Sequence, residues 1–189
     1  MKRIGFDIDG VILNLHTHLI KEFKKQYGID LRLFLTEFIF TVPGLDDDDI
    51  SYTIEQTILK TTKVIRPFKT VKETLVQIFE QSKEPILFVT ARELHLKDAT
   101  EKSLENNFKG MFEYETIYTG EIGNKLQYLQ AYDIGYFTED NPDTCNEISQ
   151  FLTKTFLVNR VYNVNHKTFP DVIRINFLSD IISHIYPTR

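Results

Sequence analysis

The sequence predicts an α/β fold, a Rossmann-like three-layer parallel sheet with a small helical cap inserted after the first strand. Three observations favour this fold. Short apolar runs alternate with stretches of helical spacing, which is typical of strands joined by crossover helices. The segment between the first run and Pro67 has mostly helical periodicity. Polar side chains directly follow several of the apolar runs, as they do where ligands bind at the carboxyl ends of parallel strands.

The first elements begin the core and then the inserted segment. The apolar run at 3–7 predicts the first strand. Asn14 is a candidate cap for a helix over 15–27, and Gly28 is a candidate end of that helix. A second helix is predicted over 31–40, where Phe34, Phe38 and Phe40 could stack on the ring of a ligand, although their near-helical spacing is more typical of a core.

An acidic run at 46–49 precedes isoleucines at helical spacing. The run could form a calcium loop, but we favour a helix start, because acidic side chains complement the positive end of a helix dipole. The predicted division is a core domain of residues 1–13 and 66–189 with a helical cap of residues 14–65.

Strands and helices alternate over the rest of the chain. Strands are predicted at 86–89, 116–119, 134–138, 155–158 and 172–177. Helices are predicted at 71–79, 94–107, 124–132, 142–152 and 179–185.

Composition limits the possible function classes. The chain has 189 residues, 42% of them hydrophobic, which suits one domain or one domain with an insertion. Its single cysteine, Cys145, excludes an internal disulfide framework and fits a reducing compartment. We expect a cytoplasmic protein without a membrane partner, because no run could span a bilayer and no signal peptide precedes the first strand. The net charge of −5 argues against stable nucleic-acid binding but allows a small phosphorylated ligand or a homo-oligomer.

Two carboxylates, Asp7 and Asp9, stand at alternate positions where the first strand ends. Alternate residues of a strand share a face, so the two side chains leave the strand together, and Gly10 then allows a sharp turn. Converging carboxylates repel each other unless a cation lies between them or one holds a proton. Oxygen ligands of this kind suit Mg²⁺, although an acidic turn would also explain the pattern.

Polar groups also follow the strand at 86–89, in the order Thr90, Ala91 and Arg92. A hydroxyl, adjacent backbone N–H groups and a guanidinium could hold a phosphate together. Thr90 alone is more typical of a helix cap.

Two further signals come later in the chain. Lys125 begins a predicted helix, where a cation is electrostatically unfavourable, although a surface lysine is the ordinary interpretation. Glu139 and Asp140 end the strand at 134–138, so they could complete a magnesium site with Asp7 and Asp9, or only cap the next helix.

These stretches, in this order, resemble the four motifs of the haloacid dehalogenase-like phosphohydrolase superfamily. The matching stretches are FDIDGV at 6–11, VTAR at 89–92, Lys125 and FTED at 137–140. The resemblance implies that Asp7 is the nucleophile that forms an aspartyl-phosphate, and that Asp9 is the general acid and then the base. Lys125 would screen the charge between nucleophile and phosphate. The resemblance also implies that Thr90 holds the phosphoryl group, and Ala91 and Arg92 are phosphate-binding candidates from the residue pattern described above.

The same resemblance implies that Mg²⁺ is the cofactor. Its ligands would be the Asp7 side chain, the Asp9 backbone carbonyl and Asp140, with Glu139 in support. A carboxylate is a weak nucleophile toward an anionic phosphate, so the metal and Lys125 would offset their repulsion.

Three stretches make the chain look like the 5'(3')-deoxyribonucleotidase family and its bacterial relatives. They are EDNPD at 139–143, NRVYN at 159–163 and VIRIN at 172–176. The chain departs from that family at Val161, where proline is usual, and at Ala91 and Arg92 in the phosphate pocket. The resemblance implies a 5'-nucleotidase acting on nucleoside monophosphates. A polynucleotide 3'-phosphatase, a sugar phosphatase and a non-catalytic binding module remain alternatives.

Overall fold

Six parallel strands form one sheet in the structure, a computed structural model that describes residues 2–33, 42, 44–120 and 125–187. The strands are β1 (Arg3–Phe6), β2 (Ile86–Thr90), β3 (Tyr114–Tyr118), β4 (Ile134–Glu139), β5 (Lys154–Val158) and β6 (Val172–Ile175). Their order across the sheet is β3-β2-β1-β4-β5-β6, so the direction of winding reverses at β1. The predicted α/β class and parallel sheet are confirmed.

Seven α-helices occur in the described residues. They are α1 (His16–Tyr27), α2 (Asp47–Thr61), α3 (Val71–Ser82), α4 (Lys97–Phe108), α5 (Lys125–Ala131), α6 (Pro142–Ser149) and α7 (Ile181–Ile185). The helices predicted at 94–107 and 179–185 each begin with a 3₁₀ turn, Leu94–Leu96 and Leu178–Asp180 respectively. Such turns are common where a chain enters or leaves an α-helix.

Several predicted boundaries differ from the structure. The strand predicted at 116–119 spans Tyr114–Tyr118, and the strand predicted at 172–177 ends at Ile175. The helix predicted over 142–152 ends at Ser149, after which the chain turns into β5. Of the helix predicted over 31–40, only the 3₁₀ turn Leu31–Leu33 lies in the described residues. The candidate stacking residues Phe34, Phe38 and Phe40 lie outside them.

The sheet is buried on both faces, which explains its nearly continuous apolar strands. All five residues of β2 are buried, and the phenylalanines of the central strands are fully buried. Those phenylalanines are Phe6, Phe88, Phe137 and Phe156. Cys145 is buried in α6.

The inserted segment leaves and rejoins the core at one place, because Leu13 and Pro67 form an antiparallel bridge. Its helices α1 and α2 contact each other through Tyr27 and Thr53, whose hydroxyl oxygens are 3.1 Å apart. The division of the chain at residues 14 and 65 stays a prediction.

The predicted starts of α1 and α2 have capping hydrogen bonds. The Asn14 carboxamide oxygen accepts a hydrogen bond from Thr17 N–H at 3.2 Å. Asp46 accepts one from Asp49 N–H at 2.8 Å, so the acidic run begins a helix as predicted. No helix in the described part of the chain has the length and apolar character needed to cross a membrane.

Candidate active site

The candidate site lies where three neighbouring strands end. Asp7 follows β1, and Thr90 is the last residue of β2. Glu139 is the last residue of β4, and Asp140 follows it. Because β2 and β4 flank β1 in a parallel sheet, their carboxyl ends meet at one edge, at the point where the strand order reverses. All four side chains are buried there. The sheet order therefore brings together residues that lie far apart in the sequence.

Three buried carboxylates, those of Asp7, Glu139 and Asp140, form a cluster in which one oxygen from each lies within 4.8 Å of the others. Burial raises the pKa of Asp7 to about 8, against the opposing attraction of Lys125. Burial and the negative charges of Glu139 and Asp7 raise the pKa of Asp140 well above its usual range. Each shift reflects an anion held out of water beside other anions.

Lys125 lies inside this cluster. Its ammonium donates hydrogen bonds to Asp7 Oδ1 at 2.5 Å and to Glu139 Oε2 at 2.6 Å. Burial alone would lower the Lys125 pKa, but attraction from Asp7 and Glu139 outweighs burial and raises it. Lys125 is only 4% exposed, so its alternative interpretation as a surface lysine is wrong.

The cluster fits a hard divalent cation. When all three carboxylates are ionised, Lys125 neutralises one charge and two negative charges remain in a buried space. Oxygen-only ligands and an excess of two negative charges suit Mg²⁺. Asp7 and Asp140 would hold the ion at this position.

The Glu139 carboxylate accepts hydrogen bonds from three donors. It accepts the hydrogen bond from Lys125 with Oε2, while Oε1 accepts from the backbone N–H groups of Asp140 at 3.0 Å and Asn141 at 3.3 Å. Asn141 caps α6 through hydrogen bonds that its side-chain oxygen accepts from Asp143 N–H and Thr144 N–H. Glu139 therefore orients both Lys125 and the turn that carries Asp140.

Gly10 permits the turn after Asp9. Its φ of +80° is a conformation that side chains disfavour. A Cβ at this position would overlap the Asp140 carboxylate and lie 2.7 Å from the Tyr162 hydroxyl oxygen. The two acidic strand ends can approach each other only because residue 10 has no side chain.

The loop after β5 donates hydrogen bonds to Gly10 and Asp140, and its residues were not predicted to belong to the site. The Tyr162 hydroxyl donates to Asp140 Oδ2, and the Asn163 carboxamide donates to the Asp140 backbone carbonyl at 2.7 Å. Arg160 Nε donates to the Gly10 carbonyl at 2.6 Å, and its guanidinium lies 3.8 Å from the centre of the Phe68 ring. The resemblance at NRVYN, residues 159–163, pointed to this loop. It did not indicate which residues of the site the loop contacts.

Removing the Tyr162 hydroxyl tests this support. We expect Tyr162→Phe to weaken magnesium binding about 10- to 100-fold, because the partners that orient a metal ligand typically contribute that much. Titrating magnesium against the melting temperature would measure the change. Tyr132→Phe is the control, since Tyr132 is 40% exposed. Equal magnesium affinity in wild type and Tyr162→Phe would show that the hydroxyl does not orient Asp140.

Asp9 stands apart from the carboxylate cluster and pairs with Arg92. The guanidinium donates to both Asp9 oxygens, each at 2.7 Å. The backbone N–H of Arg92 donates to Thr90 Oγ1 at 3.2 Å, which links the two ends of the TAR stretch. Thr90, Ala91 and Arg92 all line the same cavity as Asp7 and Asp9.

That cavity, of about 360 Å³, separates a charged floor from an apolar roof. The floor is formed by the strand ends, and the roof carries Leu15, Leu19, Ile54, Ile58 and Leu96. On the rim of the cavity, His95 Nε2 lies 3.1 Å from Oε1 of Glu55 in α2. His16 also lines the cavity, with its ring centre 5.0 Å from that of Tyr162, and burial lowers its pKa.

Comparisons with known proteins point to one fold. No family model matches the chain. The chain is 24% identical over 179 residues to a protein of Oceanobacillus iheyensis named "Putative nucleotidase OB0422", covering 92% of this chain and 95% of that one.

Solved structures resemble the whole chain at low sequence identity. A haloacid dehalogenase-like family hydrolase from Streptococcus pneumoniae has a TM-score of 0.63 at 14% identity, over 98% of each chain. A predicted phosphoglycolate phosphatase from Haemophilus somnus has a TM-score of 0.64 at 17% identity, over 98% of each chain. A variant of CbbY from Rhodobacter sphaeroides, in complex with xylulose-(1,5)bisphosphate, has a TM-score of 0.63 at 11% identity, over 96% of each chain. The protein thus has the haloacid dehalogenase-like fold.

Proposed function

We propose that the protein is a magnesium-dependent phosphomonoesterase that forms an aspartyl-phosphate on Asp7, and that its substrates are nucleoside monophosphates. One observation carries the reaction class. Asp7, Glu139 and Asp140 are buried around Lys125 at the edge of the sheet, and they line one cavity. Buried like charges with perturbed pKa values in a cavity are typical of a catalytic site.

The residues would divide the reaction into two steps. In the first, an Asp7 oxygen forms a bond to phosphorus, the ester P–O bond breaks, and the leaving oxygen takes a proton from Asp9. In the second, Asp9 accepts a proton from water, whose oxygen attacks phosphorus and releases Asp7. Lys125 holds Asp7 and reduces its repulsion of the phosphate. Bound magnesium would supply further positive charge for the phosphoryl oxygens.

The cavity favours an uncharged leaving group with apolar surface. Its roof is aliphatic, and Glu55 on the rim is acidic. Among the described lining residues, the arginine and lysine side chains, Arg92 and Lys125, both already pair with carboxylates. A second phosphate, such as the one on the bisphosphate bound to the CbbY variant, would therefore find no unpaired arginine or lysine among these residues. A nucleoside avoids this problem, and the similarity to the Oceanobacillus protein supports the same substrate class.

A phosphate-release screen tests the proposal. The panel contains nucleoside 5'- and 3'-monophosphates, sugar monophosphates and bisphosphates, and 3'-phosphorylated oligonucleotides, each with magnesium and with chelator. We expect nucleoside monophosphates to give the highest kcat/KM. A preference for sugar phosphates or oligonucleotides would replace the nucleotidase proposal by that activity. No release from any monoester would favour a binding module.

The roof gives a separate prediction. Ile54→Ala should raise KM for a nucleoside monophosphate about 5- to 30-fold, because it removes about 1–2 kcal/mol of apolar contact. The change should be smaller for glycerol phosphate, whose short leaving group does not reach the roof. Leu59→Ala on the same helix is the control, since Leu59 is 42% exposed and does not line the cavity. An equal change in KM for both substrates would contradict the assignment of the roof to the leaving group.

A further inference from the structure

The Arg92 guanidinium forms a two-pronged contact with the Asp9 carboxylate. Its Nε donates to Asp9 Oδ2 and its Nη2 to Asp9 Oδ1, both at 2.7 Å. The third nitrogen, Nη1, donates to Thr100 Oγ1 at 3.0 Å. Each guanidinium nitrogen thus already has a protein acceptor. Two parallel charge-assisted hydrogen bonds fix a carboxylate in direction as well as in distance.

The surroundings of Arg92 make this arrangement rigid. The Arg92 side chain is only 4% exposed, whereas the Asp9 side chain is 28% exposed and lines the cavity. Thr100 is fully buried on α4, and its hydroxyl donates in turn to the Leu96 carbonyl at 2.9 Å. The guanidinium is therefore held between a helix and Asp9, and of the pair Asp9 is the more exposed to the cavity.

We propose that Arg92 is a positioning residue for Asp9, which it aims at the leaving oxygen, and that it is not a ligand of the phosphoryl group. This inference rests on the proposed function. It replaces the expectation, drawn from the sequence pattern at 90–92, that the Arg92 guanidinium helps to hold a phosphate.

Under this inference, proton transfer requires that the Asp9 carboxyl group stays directed at the leaving oxygen. As the ester P–O bond breaks, its electron pair goes to the leaving oxygen, which forms a bond to the Asp9 proton. Asp9 becomes a carboxylate, and it regains a proton from the attacking water in the second step. When one Asp9 oxygen bears the proton, the other still accepts from Arg92, so one of the two hydrogen bonds continues to orient the carboxyl group.

The leaving group distinguishes the two roles. Nitrophenolate departs without a proton, whereas a nucleoside or glycerol alkoxide needs one. We expect Arg92→Gln to lower kcat/KM for a nucleoside monophosphate or glycerol phosphate about 30- to 300-fold, within the range for misplacing a general acid. For p-nitrophenyl phosphate the loss should stay below about threefold. The ratio kcat/KM is the appropriate measure, because it reports the steps up to loss of the leaving group. Equal losses for all substrates would overturn the inference.

A double-mutant cycle gives a second readout. If Arg92 acts only through Asp9, Arg92→Gln should change kcat/KM less than about twofold in an Asp9→Asn background. Arg92→Lys should recover little of the loss, because an ammonium cannot form the two-pronged contact. A full loss in the Asp9→Asn background, or full recovery with lysine, would overturn the inference.

Binding of inorganic phosphate provides a readout without turnover. Calorimetric titration in the presence of magnesium should give Arg92→Gln the same phosphate affinity as wild type, within about twofold. A tenfold weaker affinity would identify Arg92 as a phosphate ligand and overturn the inference.

Thr100→Val provides a test that remains available if Arg92→Gln fails to fold. Thr100→Val keeps the guanidinium and removes only its third partner, and we expect a threefold to tenfold loss with the same dependence on the leaving group. A loss independent of the leaving group would count against the inference. Absence of turnover by the wild-type protein would instead overturn the proposed function on which the inference rests.

Discussion

Replacing Asp7 by asparagine is expected to lower magnesium-dependent phosphate release by at least about 10⁴-fold, the scale of losing a covalent nucleophile. The carboxamide has nearly the same shape, but it cannot form the bond to phosphorus. The fold should persist, because the substitution removes one of three crowded negative charges while Lys125 keeps its contact with Glu139. Phosphate release with the best substrate and thermal unfolding followed by circular dichroism would measure the two effects.

The matched control for this substitution is Asp143→Asn, an identical chemical change at an exposed position of α6. It should change neither turnover nor melting temperature appreciably. Wild-type turnover in the Asp7→Asn variant would show that Asp7 is not the nucleophile. Loss of folding in that variant would show instead that the Asp7 carboxylate is needed for stability.

Replacing Lys125 by methionine should produce the largest loss of stability. Its ammonium is the cation in contact with Asp7 and Glu139 among the described residues. Removing one partner of a buried ion pair leaves uncompensated charge and costs about 3–5 kcal/mol. Urea unfolding in chelator would measure this cost as a change in the free energy of unfolding. Turnover should fall as well, because Asp7 would lose the ammonium that reduces its repulsion of the phosphate.

Magnesium should offset part of the Lys125→Met destabilisation, since a ligand that binds only the folded state stabilises it. Lys109→Met is the control, because Lys109 forms an exposed pair with Glu105 and such pairs contribute little to stability in water. Equal unfolding free energies for Lys125→Met and Lys109→Met would contradict the structural arrangement of the cluster.

The sheet and the chemistry-bearing strand ends could be predicted from sequence, because both depend on short-range patterns. Short apolar runs identify buried strands, and the polar residues that follow them must gather at the carboxyl edge of a parallel sheet. This logic predicts that Asp7, Thr90 and Asp140 lie at that edge, whereas their proposed roles depend on the family resemblance. The logic needs no knowledge of side-chain direction.

Contacts between distant segments could not be predicted in this way. Arg92 and Asp9 are separated by 83 positions, and their pairing depends on how far each side chain reaches into the same cavity. Lys125 was ambiguous because a lysine at a helix start has no periodic signature of burial. Tyr162 and Asn163 lie in a loop after β5, and loops follow no spacing rule that would aim them at Asp140.

The hydrogen bond from Arg160 to the Gly10 carbonyl joins two parts of the chain that are 150 positions apart. During synthesis, the turn that bears Asp7 and Asp9 emerges long before β4, and the loop with Arg160, Tyr162 and Asn163 emerges later still. A ribosome-bound fragment ending near residue 150 would lack this loop and every contact that it makes with Gly10 and Asp140. The candidate site can therefore assemble completely only after most of the polypeptide has been made.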